Sequence, residues 1–406
     1  MNSEPTVTAS SVVIDGIRIA TAAAGIRKAE KTDLCVFEIA PGAAVAGVFT
    51  QNVFCAAPVT VTREHLALDQ PRVLVINSGN ANAGTGTAGL KDAREVCRLA
   101  SELVACRASA VLPFSTGVIG QRLPVERIAA ALPRVVAHLA SDRWDDAARA
   151  IMTTDTVPKL YSAQVQCGAQ RYSITGIAKG AGMIKPDMAT MLAFIATDAA
   201  VPKLALQELL SEIAHRTFNR ITIDGDTSTN DSCMLIATGH AARGRDMHPA
   251  DPDWSSFVAG VTAVCKALSR AIVRDGEGAT KLVAVQVSGG RSEAECRKAA
   301  YAVAESPLVK TALFASDPNW GRILAAVGRS GVSGLRIEDI SIALNDYPII
   351  NHGEPLLGYD ERIAAEIMAT AEFDIRISIG DGSAAIEVLT CDFSYDYVRI
   401  NAEYRS

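Results

Sequence analysis

Positive charge is in deficit. The chain has 39 Lys and Arg against 45 Asp and Glu, a net charge of −6, so no broad cationic surface for nucleic acid is expected. No apolar run approaches the roughly 18 residues that a membrane-spanning helix needs. The start, Met1-Asn-Ser-Glu-Pro5, lacks the basic and apolar segments of a signal peptide. These absences predict a soluble, cytoplasmic protein without nucleic-acid or membrane partners. Paired cysteines are missing too. The nine, at 35, 55, 97, 106, 167, 233, 265, 296 and 391, form no Cys-x-x-Cys, and an odd count fits no complete intramolecular disulfide framework. Most lie in apolar runs and are expected to be buried free thiols. The six histidines show neither His-x-x-x-His nor His-Glu-x-x-His spacing, which argues against a protein-built zinc site. There is no Gly-Lys-Ser/Thr for a P-loop and no Gly-x-Ser-x-Gly nucleophile elbow.

What is present is a globular composition, 49% apolar and 21% charged over 406 residues, enough for one large domain or two ordinary ones. Strand and helix patterns alternate throughout. Apolar runs at Arg72–Asn77, Ala110–Ser115, Cys233–Thr238, Leu282–Ser288, Phe373–Ile379 and Ala384–Thr390 predict strands. Tyr161–Ile177 predicts a hairpin turning at Gly168-Ala169, and Thr190–Thr197 a further strand. Helical spacing marks Leu90–Val104, Pro124–Ala140, Leu204–Arg216, Asp253–Val273, Glu293–Ala304 and Asp360–Ala369. The alternation predicts layered α/β packing with helices covering sheets. No low-complexity linker divides the chain, so one compact body is expected.

Two motifs invite readings that their spacing weakens. Gly84-Thr-Gly-Thr-Ala-Gly89 has the Gly-x-Gly-x-x-Gly form, but it begins several residues after Asn77 rather than directly at a strand end, and no acidic residue closes the next strand. A glycine-rich helix start is the better expectation. Asp224-Gly-Asp-Thr-Ser-Thr-Asn-Asp231 is dense in oxygen ligands but lacks the spacing and distal glutamate of a calcium loop. It predicts a turn in which side chains cap backbone donors.

Three stretches keep a chemical reading. In Lys179-Gly-Ala-Gly-Met-Ile-Lys-Pro-Asp-Met-Ala-Thr190, a glycine-rich loop runs into a threonine that opens an apolar strand. Cutting the chain between Ala189 and Thr190 would free an α-amine beside the hydroxyl. With a pKa near ~8, that amine suits a general base at neutral pH. Pro113-Phe-Ser-Thr116-Gly117 ends a strand in small residues whose N–H and hydroxyl groups can serve an oxyanion; an ordinary strand-to-loop turn fits equally. Asp275-Gly-Glu277-Gly reads as an exposed acid on a flexible loop, suited to an ammonium group or simply solvated. Lys179 could clamp a carboxylate, although most lysines are only solvated.

Taken in order, these stretches resemble the glutamate N-acetyltransferase, or ornithine acetyltransferase, family of arginine biosynthesis. The resemblance also runs through Gly47-Val-Phe-Thr-Gln-Asn52, Asn77-Ser-Gly-Asn-Ala-Asn82, Thr153-Thr-Asp155, Phe218-Asn219, Asp317-Pro-Asn-Trp-Gly-Arg-Ile323 and Tyr395-Asp-Tyr-Val-Arg-Ile-Asn-Ala-Glu-Tyr-Arg405. It covers nearly the whole chain. It departs from the family pattern at Gly84, Ala181 and Ser406, where cysteine, serine and threonine are frequent.

The resemblance implies an α/β/β/α sandwich like that of N-terminal-nucleophile hydrolases, self-cleaved into chains 1–189 and 190–406 that stay associated as a heterotetramer of two of each. It implies Thr190 as nucleophile, Thr116 and Gly117 as oxyanion donors, and Thr153, Lys179, Thr190, Glu277, Asn401 and Ser406 as substrate contacts. The implied reaction passes acetyl from N-acetyl-L-ornithine to L-glutamate through an acetyl-threonine ester, with no cofactor or metal. Whether acetyl-CoA is a second donor is left open by the sequence. So are an aminopeptidase or amidase of the same fold, a specialised-metabolism acetyltransferase and an unprocessed binding protein. Because the pattern places the chain end at the substrate, removing Arg405-Ser406 should lower kcat/KM for both amino-acid substrates while leaving cleavage at Thr190 intact. Steady-state kinetics beside a denaturing gel checks this, and wild-type kinetics would drop Ser406 from the site.

Overall fold

In the central sheet the apolar runs carry no polar alternation, and that decides their place. Leu192–Thr197 and Ser232–Ala237 are buried at every residue and lie side by side in parallel, Ser232 opposite Leu192. Such runs, covered on both faces, belong at the middle of a sheet. The computed structural model describes residues 5–185, 191–241 and 246–404. Among them, the central pair is flanked by antiparallel Ala44–Phe49 on one side and by the hairpin Lys159–Cys167/Gln170–Lys179 on the other, with Val7–Thr8 at the far edge. The hairpin turns at Gly168-Ala169, as the sequence predicts, with Cys167 opposite Gln170.

The described residues group into two compact units. No linker signals the division because each unit is assembled from separated segments of chain. The first takes residues up to Gly180, Lys185–Asn219 and Thr227–Ile272; the second takes Ala181–Ile184, Arg220–Asp226 and everything from Val273.

The first unit also contains a four-stranded sheet in the order Ile17–Ala22, Leu34–Ile39, Val73–Asn80, Val111–Val118. Strand periodicity sorts its side chains. Val73 and Val75 face one cluster with Val96, Cys97 and Ala100 of the helix Gly86–Val104 and with Ile128 and Leu132 of Val125–Ala137. Leu74 and Ile76 face the opposite cluster, where they meet Phe194, Ala196, Met234 and Ile236 of the six-stranded sheet. Phe194 packs edge-on to Phe114 with ring centroids 5.0 Å apart. The helix Gly86–Val104 starts within Gly84–Gly89, so that motif is the opening turn of a helix.

On the far face of the six-stranded sheet lies Trp254–Arg274, whose Phe257 meets Tyr172 of the hairpin edge-on at 6.4 Å. This helix corrects one expectation: by length and composition it is apolar enough to cross a membrane. Phe257, Val261, Val264, Cys265 and Leu268 recur at helical spacing and are buried inside the protein.

The second unit holds a six-stranded sheet in the order Glu354–Pro355, Tyr347–Asn351, Ser341–Leu344, Glu372–Ser378, Leu282–Gly290, Ala384–Cys391. Its core includes Val283, Val285 and Val287 from the strand Leu282–Gly290, and Cys296, Ala300 and Val303 from the helix Glu293–Ala304.

Candidate active site

In the first unit, Val73–Asn80 and Val111–Val118 run parallel with Asn77 opposite Ser115 and Gly79 opposite Gly117, where the register slips. Gly117 has φ +134°. A Cβ there would stand 2.3 Å from the carbonyl carbon of Gly79, so only glycine permits this approach. Ser115 Oγ donates to Asn77 Oδ1 at 2.6 Å. Asn230, just before Ser232–Ala237, donates through Nδ2 to Ser115 O at 2.9 Å and Ala81 O at 2.6 Å. These bonds hold the backbone flanking Thr116 from both sides.

Thr116 is buried, and Lys179 Nζ donates to its Oγ1 at 2.9 Å. Lys179 closes the strand Gln170–Lys179, and the next residue, Gly180, donates its N–H to Asp155 Oδ1 at 2.7 Å. Lys159 Nζ meets the same oxygen at 2.6 Å, and Thr153 N donates to Oδ2 at 3.0 Å. Burial pushes the Asp155 carboxyl up. The charges of Lys159 and Lys179, with the bonds from Lys159 and Gly180 N, outweigh that and hold it at about 2. Lys31 lies near this carboxylate too, donating to Met152 O at 2.8 Å, with its pKa lowered mainly by burial.

A second buried carboxyl, Asp231, sits at the mouth of the central strand pair, where Ser232 N donates to Met191 O at 2.9 Å. Its Oδ2 has no hydrogen-bond partner among the described residues. Burial drives this carboxyl well above the ordinary range, against the opposing pull of Ser228 and Lys179.

In the second unit, Glu277 is only 7% exposed, which corrects the expectation of an exposed acid on a flexible loop. Its N–H donates to Ala181 O at 2.8 Å, and Asn401 Nδ2 donates to its Oε2 at 2.8 Å. The backbone of Gly182 comes so close that a Cβ there would lie 2.4 Å from the Glu277 carboxylate. Asn401 is carried by the helix Tyr395–Ala402, whose cap Ser394 accepts from Asp396 N at 3.2 Å and donates to Gly278 O at 2.6 Å. Asp224 accepts from Met183 N at 2.6 Å and Ile184 N at 2.9 Å, and Met183 has φ +56°. Burial raises the Asp224 carboxyl, and these donors only partly oppose it.

The predicted site residues therefore assemble as two sets. Thr116, Gly117 and Lys179 meet directly, with Thr153 joined to them through Asp155. Glu277 and Asn401 bond to each other. Ala189, Thr190 and Ser406 lie outside the described residues. Sequence reasoning missed Asp155 and Lys159, although Thr153-Thr-Asp155 contains one of them, and gave Asn230 a merely local role. The Asp224–Asp231 stretch does cap its own turn, as when Ser228 Oγ accepts from Asn230 N at 3.2 Å. Beyond that, Asp224 and Asn230 bind backbone groups 40 or more residues away in the chain. Among the described residues, no cluster of three or more His, Cys, Asp or Glu could hold a metal ion.

Comparison with known proteins places this geometry in a family context. A model of the ArgJ family matches residues 18–406. The chain is 52% identical over 393 residues to the arginine biosynthesis bifunctional protein ArgJ of Methylococcus capsulatus, covering 97% of this chain and 96% of that protein. It is 51% identical over 393 residues to the protein of the same name from Psychrobacter arcticus, covering 97% of each. Among solved structures it is similar to the bifunctional ArgJ of Bacillus halodurans, with 40% identity, 51% of this chain and 96% of that chain covered, and a TM-score of 0.49. It is also similar to the ornithine acetyltransferase of Mycobacterium tuberculosis solved with ornithine, with 36% identity, 45% and 99% covered, and a TM-score of 0.43.

The contact between Gly182 and Glu277 yields a direct test. Gly182→Ala must displace the carboxylate, so it should raise KM severalfold for a substrate that Glu277 contacts, while Tm shifts by less than roughly 1 kcal/mol would produce. Equal losses in Tm and activity would show a structural role only.

Proposed function

Because this chain belongs to the ArgJ family, we propose that it transfers acetyl from N-acetyl-L-ornithine to L-glutamate in arginine biosynthesis, through an ester on Thr190. The observation that carries the proposal is the Thr116–Gly117 turn with Lys179 on the Thr116 hydroxyl at 2.9 Å. A glycine-permitted backbone approach, a hydroxyl and a cation come together there, and these are the kinds of group that stabilise an oxyanion. The chain is an enzyme, as its bifunctional relatives at 52% and 51% identity are.

The reaction is proposed to begin with cleavage between Ala189 and Thr190, giving chains 1–189 and 190–406 in a cytoplasmic heterotetramer with an N-terminal-nucleophile fold. The Thr190 α-amine takes the hydroxyl proton as Oγ attacks the acetyl carbonyl. The tetrahedral oxyanion accepts from Thr116 Oγ and Gly117 N, and its collapse returns the proton to the departing ornithine nitrogen. Glutamate's free amine then attacks the acetyl-threonine ester through a second oxyanion of the same shape, so one set of donors serves both halves; as the ester bond breaks, the Thr190 α-amine passes the glutamate amine's proton to the departing Thr190 Oγ. Thr153, Lys179, Glu277, Asn401 and Ser406 are proposed to contact the amino-acid portions, which both substrates share. The relatives' designation as bifunctional supports acetyl-CoA as a second donor to the same threonine.

Purified protein should run as two fragments whose second begins at Thr190 by N-terminal sequencing, and Thr190→Ala should stay intact and inactive. Acetylornithine turnover should require glutamate; turnover without it would point to an amidase. Separately, Thr116→Ala should lower kcat per cleaved molecule by ~10²-fold or more, with a smaller change in KM. A raised KM at unchanged kcat would make Thr116 a binding residue.

A further inference from the structure

We infer that the buried Asp155–Lys159 pair is a positioning device for the oxyanion donor: it holds Lys179 so that the Thr116 hydroxyl keeps its one hydrogen for the reacting oxygen. The inference rests on the acetyl-transfer reading above and deepens it.

An ammonium has three hydrogens and no lone pair, whereas a hydroxyl has one hydrogen and can accept. At the 2.9 Å contact between Lys179 Nζ and Thr116 Oγ1, the lysine therefore donates and the threonine accepts. The threonine's hydrogen takes no part in that bond and is free to point at a substrate oxygen. A carboxylate or carbonyl in the same place would consume it. Lys179 thus fixes the polarity of Thr116 and makes its hydroxyl a donor.

Asp155 holds the backbone that carries Lys179. Its carboxylate takes Gly180 N at 2.7 Å, Thr153 N at 3.0 Å and Lys159 Nζ at 2.6 Å. The Asp155 side chain has no exposed surface, and that of Lys159 has 1%. Among the described residues, Lys31, Lys159 and Lys179 are cations that act on Asp155 or are acted on by it. Without its charge, these three would lose the buried anion they share and repel one another more strongly. Lys179 is the least buried of the two strand-borne lysines and would be the one to leave Thr116.

A plain structural pair would also be destabilising to break, so the test separates the two roles. Removing one partner of a buried pair costs stability, while replacing both by neutral groups of similar shape largely restores it. Asp155→Asn alone should lower Tm, self-cleavage rate and kcat per cleaved molecule, the last by ~10²-fold. In Asp155→Asn/Lys159→Met the Tm should recover, whereas cleavage rate and kcat should stay low because the Asp155 charge beside Lys179 is still missing. Adding Thr116→Ala to that double variant should cost little more, since the donor is already misdirected. Recovery of kcat together with Tm, or a full further ~10²-fold loss on adding Thr116→Ala, would overturn the positioning role. A wild-type chain without acetyl transfer would instead overturn the functional reading beneath it.

Discussion

A carboxylate with no exposed surface is the constraint around which the first unit's site is organised. Stripping water from a charge costs several kcal/mol unless partners replace it, and Asp155 finds them on three different pieces of chain. Lys159 supplies the opposite charge from the start of one hairpin strand, Gly180 an N–H from the end of the other, and Thr153 an N–H from the preceding turn. The pair is therefore more than a local ion pair. It pins the end of Gln170–Lys179 to the segment before Lys159–Cys167, and every position in the Thr116–Lys179 contact inherits that geometry. The balance of burial against neighbouring cations leaves the carboxyl ionised at neutral pH, with a pKa near 2.

The second unit solves a different problem with a different acid. Asp224 receives two consecutive N–H groups, Met183 and Ile184, from a segment that includes a non-glycine residue at positive φ. Such a conformation costs about 1 kcal/mol or more, and the paired bonds offset it. Gly182, one residue earlier, lies against the Glu277 carboxylate, and Ala181 O accepts from Glu277 N. Three consecutive features of the glycine-rich loop are thus each tied to an acid. This explains in contact terms why the loop reads as unusual in sequence.

Much of this was legible in the chain itself, and what was not has a common cause. The strands Leu282–Gly290 and Ala384–Cys391 and the helices Glu293–Ala304 and Trp254–Arg274 fall within a few residues of where apolar spacing puts them, because burial on one face is written locally. Thr116, Gly117 and Lys179 were picked out as separate motifs. Their meeting was not, since 63 residues separate Lys179 from Thr116 and the bond exists only once two sheets are stacked. Asp155 was invisible for the same reason: a carboxylate bonded to Gly180, 25 residues on, looks like any surface acid. Glu277 was misread because the group that shields it, Asn401, lies 124 residues away.

The weave of chain segments through the two units has a consequence for the molecule's history. The strand Gln170–Lys179 pairs with Leu192–Thr197 in one sheet, and Ala181–Ile184 belongs to the unit otherwise built from later residues. A cut between Ala189 and Thr190 would divide the six-stranded sheet of the first unit and leave neither product with a complete unit. The intact chain would have to fold first, as one molecule, and only then be divided. After division, unfolding would release two partners whose recombination depends on their concentration, so what had been an intramolecular equilibrium becomes a bimolecular one. Persistence of the mature protein would then be governed by how slowly it comes apart rather than by how readily it reforms.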